Sequence, residues 1–171
     1  MKALVGVLMG SDSDYPLMQR ALDVLRDFDV PFEVEVTSAH RSPARTIEYA
    51  RTARDRGLRV IIAGAGSAAH LAGVVAAETT LPVIGVPIDS SPLKGFDALL
   101  ATVQMPPGVP VATMAVGQAG ATNAALFAVQ ILSTADPKLV KSLADHKERL
   151  ARGVEAKNAR LQEQLGSAVA K

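Results

Sequence analysis

Apolar positions along the chain arrive in two alternating rhythms. Ala3–Met9 is an unbroken apolar run that closes on Gly10, as expected of a strand buried on both faces. Tyr15–Phe28 changes to helical spacing, with Pro16 in a first turn where its missing N–H is not needed. Phe32–Thr37 alternates like a strand. Pro43–Arg56 resumes helical spacing behind Ser42, a favourable N-cap followed by proline. The same reading predicts strands over Val60–Ala63, Pro82–Val86 and Val111–Val116, and helices over Ala68–Thr79, Phe96–Val103 and Ala121–Leu132.

Strands that alternate with helices form parallel βαβ units whose helices cover both faces of the sheet. The expected fold is therefore an α/β protein, a three-layer α/β/α sandwich around a central parallel sheet. Ligands of such sheets collect beyond the carboxyl ends of the strands, which directs attention to residues 10–14, 38–42, 64–70 and 87–95. The tail reads differently. After Asp136-Pro137, Leu139, Leu143, Leu150, Val154, Leu161 and Leu165 recur as two interleaved series of period 11, a narrow stripe along one long helix. The expected organisation is a domain over 1–135 with a helical extension over 136–171.

Charge sharpens this picture. Residues 60–135 carry only Glu78, Asp89, Lys94 and Asp97, against 18 charged side chains in residues 1–59 and 13 in residues 136–171. The uncharged stretch Ala98–Ala135 exceeds the ~20 residues of a membrane span, but Pro106, Pro107, Pro110 and a run of glycines and amides break it. Buried sheet and helix explain it better, so no membrane partner is expected. A net charge of +1 gives no clustered basic excess for nucleic acid. The absence of cysteine excludes thiolate nucleophiles and cysteine-based metal sites. The opening Met-Lys-Ala lacks the apolar stretch of a signal peptide, so a cytoplasmic location is expected.

Three segments could carry chemistry. Gly10-Ser11-Asp12-Ser13-Asp14 offers hydroxyls and helix-start amides to an anion and carboxylates to a sugar diol, or it simply caps the next helix through Ser13 or Asp14. Ser38-Ala39-His40-Arg41-Ser42 puts a proton-transferring imidazole beside a phosphate-gripping guanidinium, or a surface histidine beside a cap. Gly64-Ala65-Gly66-Ser67-Ala68-Ala69-His70 satisfies G-x-G-x-x-A, yet follows the third strand rather than the first. Its small residues could instead surround a compact planar group, with His70 at the rim, or serve helix–sheet packing. His146, within Asp145-His146-Lys147-Glu148-Arg149, reads as part of a solvated helix face. Three dispersed histidines give no metal-ligand spacing, and no metal is expected.

Taken in order, VGVLMGSDSDYPLM, VTSAHRSP, VIIAGAGSAAHLAG, LPVIGVPIDSSPLKGFDALLATVQMPPGVPVATMAVG and AGATNAALFAVQIL resemble the catalytic subunit family of phosphoribosylaminoimidazole carboxylase, over roughly residues 4–135. Within it they resemble the stand-alone bacterial mutases. The resemblance implies a flavodoxin-like sheet and conversion of N5-carboxyaminoimidazole ribonucleotide to 4-carboxy-5-aminoimidazole ribonucleotide in purine biosynthesis, without metal or cofactor. It implies that Ser11 and Arg41 hold the phosphate with Ser38 nearby, that Asp14 binds the ribose hydroxyls, and that His40 shuttles the proton. The small-residue loop from Gly64 through Ala68, which includes Ala65, Gly66 and Ser67, would together with His70 and Leu71 surround the aminoimidazole and the migrating carboxyl. It also implies a homo-octamer and a metabolic link to the ATP-dependent synthetase that makes the carbamate substrate.

Members that carboxylate aminoimidazole ribonucleotide directly often resemble His-Lys-Gly where this chain reads His40-Arg41-Ser42, so Arg41 favours the mutase. Tyr15, Ser67 and Ala72 stand where the family usually resembles Trp, Gly and Pro. The readings left beside the mutase are direct carboxylation, a non-catalytic nucleotide-binding module and a dinucleotide-dependent oxidoreductase. The last rests on the Gly64 segment alone.

Overall fold

The structure, a computed structural model, describes residues 2–169. The chain divides into two compact units, Met1–Leu132 and Ser133–Lys171. The first holds five strands, β1 (Val5–Met9), β2 (Phe32–Val36), β3 (Val60–Gly66), β4 (Val83–Ile88) and β5 (Ala112–Thr113). All pair in parallel, in the order β2-β1-β3-β4-β5. This is the flavodoxin-like order, in which the chain reverses direction across the sheet between β1 and β3.

Central strands β1, β3 and β4 are buried almost along their whole length, which is why they read as continuous apolar runs rather than alternations. β2 lies at an edge and keeps its alternation: Glu33 and Glu35 pair with Arg56 and Arg45 of the following helix, at 2.9 and 2.6 Å. Between the strands run α1 (Tyr15–Asp27), α2 (Pro43–Arg56), α3 (Leu71–Glu78), α4 (Phe96–Val103) and α5 (Gln118–Ser133). On one face of the sheet, Leu8, Ile61, Ala63 and Val83 pack against Tyr49 and Ala53 of α2, Ala72 and Val75 of α3 and Ala98 of α4. On the other, α1 sits close enough that a Cβ on Gly64 would press into the Met18 thioether.

Several boundaries depart from expectation: α5 starts at Gln118 rather than Ala121, β4 runs to Ile88 rather than Val86, and the largest changes are at β3 and β5. β3 runs on to Gly66, pairing Gly64, Ala65 and Gly66 with Val86, Pro87 and Ile88. α3 consequently starts at Leu71 rather than Ala68. The G-x-G-x-x-A segment is thus sheet rather than the glycine turn that cradles a pyrophosphate, and the dinucleotide reading loses its only support. β5 is two residues long instead of six. Beyond it, isolated bonds from Met114 N to Gly85 O and from Gly117 N to Pro87 O continue the contact, both at 2.9 Å.

The second unit is one long helix, α6 (Pro137–Val169), begun by Asp136, whose carboxylate accepts from Lys138 N at 2.9 Å. Leu150, Val154, Leu161 and Leu165 of its predicted stripe are each more than half exposed. Among the described residues no helix is long and apolar enough to cross a membrane.

Candidate active site

The loops after β1, β2 and β3 converge with Ser90, in the loop after β4. Together they line a cleft of about 200 Å³ at the carboxyl edge of the sheet, beside the reversal point between β1 and β3.

The first wall is built by Gly10–Asp14. Ser11 caps a single 3-10 turn over Asp12–Asp14: its hydroxyl accepts from Ser13 N, while Asp14 Oδ2 accepts from Ser11 N at 3.1 Å. This reciprocal arrangement is a capping box. The cap therefore lies at Ser11, one turn ahead of α1, and neither Ser13 nor Asp14 caps that helix through its side chain. Asp14 is only 6% exposed and yet borders the cleft. Burial raises its carboxyl pKa, the Ser11 amide opposes this, Asp12 adds to the rise and Arg41 again opposes it.

The second wall is the turn Ser38–Ser42. Ser42 occupies the cap position of α2, where its carbonyl accepts from Thr46 N at 3.1 Å but its side chain makes no cap bond. Its hydroxyl instead accepts from Ser38 N at 3.0 Å, which closes the turn. Ser38 Oγ accepts from Arg41 N at 3.1 Å and, more distantly, from Arg41 Nε at 3.5 Å. Arg41 Nη2 donates to Gly10 O at 3.1 Å and so ties the second wall to the first. Ser11, Ser38 and Arg41 thereby stand together at one end of the site, where paired N–H donors and hydroxyls suit a phosphate.

The third wall is Ala65, Gly66, Ala68, His70 and Leu71. His70 Nδ1 lies 2.8 Å from His40 Nε2, with the rings edge to face at 82°. One imidazole donates and the other accepts in this contact, which joins residues 30 positions apart. Of the residues expected here, Gly64 lies within the sheet and Ser67 is exposed at φ 53°, and neither is among the residues that line the cleft. Ala65 of the expected Gly64–Ala68 loop does line it, and Gly10, Ser13, Ala39 and Ser90 join the lining. Only position made Ala39 a candidate. Ser90 lies in a loop that the strand pattern had marked, but nothing local distinguished it. No group of three or more His, Asp or Glu able to hold a metal occurs among the described residues.

The sequence model of the AIR carboxylase family, AIRC, matches residues 4–153. The chain belongs to the AIR carboxylase family. Similar to it is the N5-carboxyaminoimidazole ribonucleotide mutase of Bacillus subtilis (strain 168), 57% identical over 148 residues, 86% of this chain and 91% of the relative. So is the protein of the same name from Mycobacterium leprae (strain TN), 55% identical over 165 residues, 96% of this chain and 95% of the relative. The crystal structure of Treponema denticola PurE superimposes with a TM-score of 0.83 at 26% identity, covering 93% of this chain and 98% of that one. AIR carboxylase family membership thus spans the sheet, the cleft and the start of α6.

Proposed function

We propose that the protein isomerises N5-carboxyaminoimidazole ribonucleotide to 4-carboxy-5-aminoimidazole ribonucleotide in purine biosynthesis. The observation that carries this reading is the cleft itself, in a chain 55–57% identical to relatives that bear the mutase name. Its phosphate-suited end and its apolar, histidine-bearing end face a single small volume.

In this reading Ser11, Ser38 and Arg41 hold the phosphate and Asp14 accepts from the ribose hydroxyls. Ala65, Gly66, Ala68 and Leu71 enclose the ring. His40 gives a proton to the carbamate nitrogen as the N–C bond breaks and carbon dioxide is freed. C4 then attacks that carbon dioxide, forming the C–C bond, and His40 takes back the proton that C4 loses. The imidazole ends as it began, so the overall change is an isomerisation. Small apolar walls keep free carbon dioxide from water between the two steps. Arg41, at a position where direct carboxylases often resemble lysine, favours this course over carboxylation of aminoimidazole ribonucleotide. The same reading places the protein in the cytoplasm, as a homo-octamer supplied by an ATP-dependent synthetase.

The test supplies each substrate separately: the carbamate at low bicarbonate, then aminoimidazole ribonucleotide with excess carbon dioxide. Efficient turnover of the carbamate is expected. Efficient turnover of the second alone overturns the mutase reading in favour of direct carboxylation.

A further inference from the structure

Gly66 has a neighbour that explains why it is a glycine. A Cβ built there would clash with the Ser90 hydroxyl, with Ser90 Cβ at 3.1 Å and Ile88 O at 3.2 Å. The missing side chain makes room for a residue from the adjacent strand's loop and seats Ser90 Oγ against the apolar end of the cleft. Ser90 lines that end with Ala65, Gly66, Ala68, His70 and Leu71.

The other cleft serines are engaged. Ser11 and Ser13 bond each other at 2.8 Å, and Ser38 accepts from Arg41. Next to the cleft serine, Ser91 donates to Asp97 at 2.8 Å. The Ser90 hydroxyl has no protein partner among the described residues. At this end the remaining polar side chains are the two imidazoles, which are bonded to each other.

We propose that Ser90 binds the carboxyl group that migrates, its Oγ–H donating to a carboxylate oxygen first of the carbamate and then of the 4-carboxylate. The inference rests on the mutase reading. An aliphatic hydroxyl keeps its proton at neutral pH, so Ser90 remains a donor through both halves of the reaction while His40 alone exchanges the proton. A hydrogen bond to a charged acceptor is stronger than one to a neutral group. The contact is therefore made by the carboxylated nucleotides and is absent from aminoimidazole ribonucleotide, which has no carboxyl.

Ser90→Ala separates this role from a structural one. In the whole chain the variant is expected to bind 4-carboxy-5-aminoimidazole ribonucleotide about tenfold more weakly, while its affinity for aminoimidazole ribonucleotide stays at the wild-type level. It is also expected to release more aminoimidazole ribonucleotide per carbamate consumed, because freed carbon dioxide is held less well. Ser90→Gly, which also removes the hydroxyl, should behave alike. Equal weakening toward both nucleotides, or no change in either affinity or in the released fraction, overturns the inference. Failure of the wild-type chain to isomerise the carbamate overturns the mutase reading, and this inference with it, so the two failures are told apart.

Discussion

His40 and His70 meet through one hydrogen bond of 2.8 Å, and the contact decides which nitrogen of His40 is free for substrate. With Nε2 turned to His70, Nδ1 is the nitrogen left to exchange the reacting proton. His40→Asn keeps a polar side chain of similar reach but cannot carry a proton through the cycle. Turnover is expected to fall by about 10²–10⁴-fold with nucleotide affinity largely kept, as steady-state kinetics and equilibrium titration will show. Near-normal turnover would remove His40 from the mechanism.

Asp14 tests a different property of the site. Its carboxyl pKa is held above the ordinary 3.8, chiefly because burial penalises the charge. The folded chain therefore binds this proton more tightly than the unfolded chain. Stability falls as pH rises from the unfolded value through the folded one, and the cost is fully present above it. Asp14→Asn can still accept from Ser11 N but carries no charge to bury. Its Tm is expected to exceed wild type at neutral pH and to match it near about pH 3, where the aspartic acid is itself neutral. Nucleotide affinity should fall in the same variant. A Tm unchanged at neutral pH would contradict the burial argument.

At the scale of elements, the sequence showed most clearly what punctuation defines. α2 and α4 fall where periodicity placed them, because Pro43 and Gly57 bracket the first and Gly95 opens the second. The end of β3 was not legible. Gly64, Ala65 and Gly66 have weak strand preference, and they are strand because Met18 and Ser90 leave room for nothing larger at the glycines. β5 was overestimated because its apolar residues look like a strand whether or not a second neighbour exists to pair with. In the site, the segments that supply Ser11, Ser38 and Arg41 to the cleft were legible, because each follows a strand of the parallel sheet. Ser90 and the His40–His70 bond depend on approach between separate strand ends, which no local pattern encodes.

The longer β3 also forces the chain to turn sharply before α3, and Ser67 takes that turn at φ 53°. Left-handed backbone costs a non-glycine residue about 1–2 kcal/mol, partly offset by the greater freedom that glycine loses on folding. Ser67→Gly is therefore expected to stabilise the protein by about 0.5–1 kcal/mol, seen as a Tm higher by a few degrees. Because Ser67 is not among the cleft-lining residues, turnover should change little. A lower Tm would show that the serine makes a contribution beyond its backbone.

For the whole molecule, the sparsely charged middle of the sequence leaves a visible trace. Leu93, Phe96, Leu100 and Val103 recur at helical spacing along and just before α4, with exposures of 62, 62, 41 and 47%. The opposite side of α4 already buries Ala98 and Thr102. An apolar stripe of this kind on a surface helix favours contact with another subunit, which agrees with the proposed octamer. Sedimentation velocity at micromolar concentration is expected to show an assembly several times the 17.8 kDa chain. A stable monomer would remove the octamer from the reading.

The cleft draws on the segments that follow β1, β2, β3 and β4, and a helix intervenes between each pair of strands that delivers them. None of these segments can be brought together by a hairpin or a single turn. Parallel pairing of this kind closes large loops before it is rewarded, so the cleft depends on contacts distant in sequence. A nucleotide seated there bridges the ends of four strands and opposes only disruption of the completed sheet. Binding is thus a report on the whole of the first unit, and a refolded preparation that binds nucleotide has recovered its strand order.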